Sequence, residues 1–200
     1  MTTTSILMTT DVDSFFGEAV NAALTTRAIE ASSGARQYLV AVLADFALKE
    51  PRTFDRPVTF LLDEALLAKP EERLERLKSV GDGTLYVSGF FPEHLDARGV
   101  DPSYLARIGS TAYGAASTML AHSGDGTDLF GELARGFERF VRVLRDVADG
   151  LFAHRTKNAS SIVQLYERWL KTGSDSLGRA LAEQGLIPVR GTPRGAGGLS

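Results

Sequence analysis

The 200-residue chain contains no cysteine, which excludes disulfides, thiolate metal sites, thiol catalysis and thiol redox sensing. It is also short of histidine, with three residues in all. None of them (His94, His122 and His154) has a Glu or Asp three positions earlier, so the Glu-x-x-His pattern of di-iron bundles is missing. HExxH is absent too, and no histidine stands early enough for an axial haem ligand of the haem-oxygenase kind. No metal and no cofactor are therefore expected. The nucleophile elbow GxSxG, the SxxK pair and the phosphate loop GxxxxGK[ST] are absent as well.

An excess of charge of one sign is lacking. Lys and Arg number 22 against 25 Asp and Glu, for a net charge of −3, which gives no bulk attraction to nucleic acid or to an anionic membrane surface. Long apolar runs are lacking: those at 38–44 and 60–62 fall far below the roughly 20 residues of a membrane span. The opening MTTTSILMTTDVDS has no basic residue and reaches Asp11 and Asp13 early, so no secretory signal is expected and the expected location is cytoplasmic. Neither nucleic acid nor membrane is an expected partner.

What is present is helical period. With 44% hydrophobic and 24% charged residues, the chain has a globular profile. The expected fold is all-α, a single bundle of about seven or eight helices over residues 14–189, between a flexible segment (1–13) and a flexible tail (190–200). A first helix is expected over 14–31, capped by Asp11 or Asp13, and a second runs to about residue 49. Pro51 and Pro57 bracket a loop before a short helix at 58–68. Pro70 with Glu71 and Glu72 opens a helix to about residue 90. Within it LYVSGFF has strand-like residues, but no partner strand is near, so a buried helix broken near Gly89 is the preferred reading. Asp101-Pro102 starts a helix to about residue 122. Residues 127–153 form the clearest element, with Phe130, Leu133, Phe137, Phe140, Val141, Leu144, Val147, Ala148 and Leu151 on one side. Gly173 closes the next helix, and Gly185 with Pro188 stops the last.

Calcium is tested by ALAHSGDGTDLFGE. With Gly126 at the turn and Glu132 at the bidentate end, the first ligand position is Ala121 and the normally apolar eighth is Asp128, which fails the EF-hand pattern. The loop around Gly83, with Lys78 first and Gly89 last, fails further. A helix–loop–helix turn capped by Thr127 or Asp128 is expected instead. Arg135, Arg139, Arg142 and Arg145 suggest a phosphate-binding face. Yet Glu138–Arg142, Arg142–Asp146 and Arg145–Asp149 are each spaced i,i+4, and such pairs, worth about 0.2–0.5 kcal/mol each, describe a solvated face.

The unusual segment is residues 81–117, which concentrates glycine, small residues, Tyr86, Tyr104, Tyr113, Phe90, Phe91 and His94. Glycine costs roughly 1 kcal/mol against alanine inside a helix, so this load needs a packing or functional reason. Gly109, Ser110, Ala112, Gly114, Ala115, Ala116 and Ser117 make a slim helix, suited either to close packing or to a ligand groove. Glu64, Asp82, Tyr86, His94, Tyr104 and Tyr113 are the candidate ligand- or partner-binding residues; none is assigned a catalytic role. The first reading is a non-catalytic helical binding module for a protein partner or a small apolar ligand. The alternative is an enzyme using Glu64, Asp82 and Tyr86 on a small apolar substrate. Adjacent Phe15 and Phe16 and the spread of Tyr38, Val40 and Val42 widen the apolar arc of the first two helices, from which a homodimer through them is expected.

FFGEAVNAAL, QYLVAVLADFA, FLLDEAL, GDGTLYVSGFFPEHL and YERWLKTGS resemble segments of an uncharacterised family of bacterial cytoplasmic proteins, over most of residues 14–188. GDGTLYVSGFF is the most specific piece. Such proteins have no assigned activity, so the resemblance implies no catalytic residue.

Overall fold

Proline and capping residues set most of the helix starts, and the structure, a computed structural model, describes residues 3–48, 56–121, 128–155 and 159–186. The fold is all-α, with ten helices and no strand among the described residues. In order these are α1 (Thr3–Thr26), α2 (Ser33–Leu48), α3 (Val58–Leu67), α4 (Pro70–Phe90), α5 (Pro92–Ala97), α6 (Pro102–Ala121), α7 (Leu129–Arg135), α8 (Phe137–Arg155), α9 (Ala159–Thr172) and α10 (Asp175–Glu183). The loop at 51–55, most of the calcium-like loop (122–127), His122, the His154 side chain and the tail from 190 lie outside the described residues.

Two further helices over the expected eight have local causes. Phe91 leaves helical geometry at φ −126°, ψ 45° because Pro92 disfavours α conformation in the residue before it; α5 then starts at that proline. The break therefore falls at Phe91, two residues past Gly89 and close to where it was expected, and LYVSGFF is helical up to Phe90. The element expected as one helix over 127–153 is divided at Gly136, whose position leaves no room for a side chain: a Cβ there would sit 2.6 Å from the Phe140 ring and 3.0 Å from the Glu132 carbonyl oxygen. Helix α1 begins at Thr3, so Asp11 and Asp13 lie within it rather than capping it. It stops at Thr26 because Ala28 adopts φ +50°. The Ile29 amide then donates to the Leu24 carbonyl at 2.9 Å and the Ala28 amide to that of Thr25 at 3.1 Å, a Schellman closure.

Other boundaries follow the expected chemistry. Asp101 accepts from the Ser103 amide at 2.8 Å ahead of Pro102, Asp128 caps α7 by accepting from the Gly131 amide at 2.9 Å, and Gly173 and Gly185 take positive φ after α9 and α10.

Contacts divide the chain into two units, Met1–Val147 and Ala148–Ser200. In the first, α4 packs on α2, α3, α5 and α6. Every residue of α4 from Val80 to Gly89 is buried except Asp82, which is partly exposed. A helix apolar on all sides is one surrounded by others, and its glycines permit the crowding. A Cβ on Gly81 would lie 2.5–2.9 Å from three atoms of the Tyr113 ring, one on Gly89 would lie 2.5 Å from Leu144 Cβ, and one on Gly109 of α6 would lie 2.2 Å from the Phe137 ring and 2.5 Å from Thr84 Oγ1. Close packing is thus the structural reason for these glycines. In the second unit Leu165, Trp169, Leu177 and Leu181 form a core joined by Phe152, Ala153, Ile162, Tyr166 and Ala180. Beside it Asp149, fully buried, accepts a 2.7 Å ion pair from Arg168 Nε.

Candidate functional site

Asp82 stands on the central helix where its neighbours in sequence are all buried, so its carboxylate is the point at which that stretch of α4 meets solvent. Two phenols hold it. Tyr38 on α2 donates to Asp82 Oδ1 at 2.8 Å, and Tyr113 on α6 donates to the same oxygen at 2.7 Å. Oδ2 makes no hydrogen bond with any described residue, which leaves one lone-pair face of the carboxylate unspent.

The phenols are themselves fixed by rings. Tyr113, fully buried, meets Tyr38 edge-on at 6.3 Å and lies 5.9 Å from Phe130 and 6.0 Å from Phe137. Tyr38 meets Phe130 edge-on at 5.4 Å. Such geometries are the favourable ones for ring quadrupoles. Burial pushes the Asp82 carboxyl above the usual carboxylate range; the hydrogen bonds from Tyr113 and Tyr38 and the charge of Lys78 oppose this, and Asp45 adds to it. Burial first, and the neighbouring Asp82 charge second, push the Tyr38 and Tyr113 phenols well above the usual tyrosine range, so both act as neutral donors.

One turn further along α4, Tyr86 is sandwiched between Phe46 of α2 and Phe90, with ring centroids at 4.3 and 4.8 Å and interplanar angles of 11° and 20°. Phe91 meets it edge-on at 5.7 Å. Burial raises the Tyr86 phenol as well. The Asp82 carboxylate and this aromatic stack are one helical turn apart on one face.

The remaining candidates are elsewhere. Glu64 is exposed on α3 and pairs with Arg56 at 2.7 Å, whose hydrogen bond holds its carboxyl below the usual range. Tyr104 donates to Thr59 Oγ1 at 3.2 Å, between α6 and α3. His94 lies on α5 with its Nε2 buried and without a hydrogen-bond partner. Of the six, the structure joins Asp82 to Tyr113 and sets Tyr86 beside them. Tyr38 is the residue that sequence reasoning missed as a site member. Its signal was a hydroxyl on the buried stripe of α2, which needs a partner when the ring is packed.

The expected ladder of ion pairs on α8 is not what the structure contains. Asp146 pairs with Arg27 of α1 instead of Arg142, and Asp149 pairs with Arg168. Glu138 makes no ion pair with any described residue. A partner from another helix that offers a guanidinium in a less exposed setting outcompetes the local i,i+4 pair, which is worth only a few tenths of a kcal/mol.

Among the described residues no three His, Asp or Glu side chains are grouped to hold a metal ion, and no helix is long and apolar enough to cross a membrane. No protein-family model, curated protein or solved structure matches the chain.

Proposed function

We propose that this protein is a non-catalytic binding module whose ligand-facing group is Asp82. The observation that carries this reading is the unequal use of its two oxygens. Tyr38 and Tyr113 both donate to Oδ1 and fix the carboxylate's direction, while Oδ2 is left to accept from something outside the chain. With the Phe46–Tyr86–Phe90 stack one turn away, the chemistry suits a small flat or apolar ligand that brings an N–H or O–H donor. Self-association through α1 belongs to the same reading, since Phe15 is 47% exposed while adjacent Phe16 is buried.

Native mass spectrometry of protein purified without a tag tests both parts. The expected spectrum shows a dimer of the 21.5 kDa chain retaining a small molecule that Asp82→Asn loses. A bare monomer for the wild type overturns the reading.

A second reading is favoured by one observation. Burial raises the Asp82 carboxyl, the property of a general base or acid. In that reading Glu64 takes no part, because it is tied to Arg56 in solvent.

A further inference from the structure

Of the three carboxylates expected to pair with the guanidinium groups of helix α8, two have gone elsewhere and the third, Glu138, pairs with no described residue. Asp146 is bound to Arg27 and Asp149 to Arg168, and neither Arg142 nor Arg145 pairs with any described carboxylate. Arg145 is only partly exposed. Its Nε is buried with no hydrogen-bond partner, and its Nη2 reaches the Ser88 carbonyl oxygen at a long 3.4 Å. Ser88, 5% exposed, has a buried hydroxyl that also lacks a partner.

A desolvated guanidinium is costly without an anion, and an unmatched buried hydroxyl adds to that cost. Two such groups brought together from helices 57 positions apart in sequence call for a shared partner. A cationic fork beside a hydroxyl donor is matched by a tetrahedral oxyanion, which accepts from several donors at once. Arg142 lies one turn before Arg145 and adds a second positive charge. The site is separate from that of Asp82, since Ser88 projects from α4 about 120° away from it around the axis.

We propose that Arg145 and Ser88, with Arg142 beside them, form a binding site for a phosphate group, either free or carried by a small phosphorylated ligand. The test uses the full chain and inorganic phosphate as the probe, following the Arg145 Nε–H signal by ¹H–¹⁵N NMR at constant ionic strength. Saturable movement of that signal is expected, with Ser88→Ala weakening binding roughly tenfold, as loss of a hydrogen bond to a charged group does. Arg145→Lys removes the Nε–H itself, so it is followed by the backbone amide signals of Ser88 and residue 145, and should weaken binding by a similar factor. Acetate at equal ionic strength should leave the signal in place. Ser88→Ala removes a hydroxyl that bonds to no described residue, so it preserves the fold and decides the matter if Arg145→Lys does not fold. The proposal is overturned if phosphate up to tens of millimolar leaves the Nε–H signal unmoved. It is equally overturned if Ser88→Ala binds as the wild type does, or if acetate acts as phosphate does, which would mean ion atmosphere alone.

Discussion

Replacing Gly81 by alanine should invert the usual effect of that substitution. In a helix interior alanine is favoured over glycine by about 0.5–1 kcal/mol. At Gly81 the added Cβ would meet Tyr113 Cε1, Cδ1 and Cζ at 2.5, 2.7 and 2.9 Å, so the ring must move. It has little freedom to do so: it is fully buried, faces Tyr38, Phe130 and Phe137, and its hydroxyl is tied to Asp82 at 2.7 Å. Overpacking of this kind costs about 1–3 kcal/mol, and disturbing a hydrogen bond to a charged group adds about 1.5–3 kcal/mol if the bond is lost. Against the propensity gain, the expected net loss is about 2 kcal/mol, a fall in Tm of roughly 4–8 °C for a chain of this size. Gly114 on α6 supplies the control, because a Cβ there meets nothing within 4 Å; Gly114→Ala should gain about 0.5–1 kcal/mol. Urea unfolding followed by far-UV circular dichroism measures both. Stabilities of the two variants agreeing to within about 0.5 kcal/mol would refute the reasoning, since that is the scatter of substitutions without a structural mechanism.

Two further outcomes follow from buried charge. Because burial raises the folded-state Asp82 carboxyl above its unfolded value, the folded protein holds that proton more tightly; the associated stability is complete below about pH 4 and is lost as pH rises through the folded pKa. Asp82→Asn keeps an acceptor for both phenols and cannot ionise, so its stability relative to wild type should improve between pH 4 and pH 7, and a pH-independent difference in urea midpoint would contradict this. In the second unit, Asp149→Asn leaves Arg168, whose side chain is only 12% exposed, without its carboxylate; the expected loss is about 3–5 kcal/mol, and a change in unfolding free energy below about 1 kcal/mol would show the pair to be dispensable.

The elements whose physics is local were legible in the sequence. Asp101-Pro102, Pro70 with its acidic first turn and Gly173 fix helix ends through groups within a few residues, and all three behave as read. The break at Phe91 was also local: the helix was expected to end at about residue 90, and Pro92, which the sequence reading did not use, is what ends it there. Glycines 81, 89 and 109 announced crowding without naming the crowding partner, because Tyr113, Leu144 and Phe137 come from other helices. The same limit governs the site. Asp82 and Tyr113 were both singled out, yet the bond between them spans 31 positions and that from Tyr38 spans 44; no periodicity encodes such a pairing. On α8 the local rule actively misled. It paired Arg142 with Asp146, whereas the structure pairs Asp146 with Arg27, 119 positions away.

The position of Trp169 gives the molecule a built-in optical address. It is the chain's sole indole and sits in the core of the Ala148–Ser200 unit, while four of the five tyrosines, including all three that burial protects from ionisation, belong to Met1–Val147. Emission excited at the red edge of the indole band therefore follows one unit alone, and phenolate absorbance in alkali follows chiefly the other. A single unlabelled sample can report on the two separately, with no dye attached and no residue replaced.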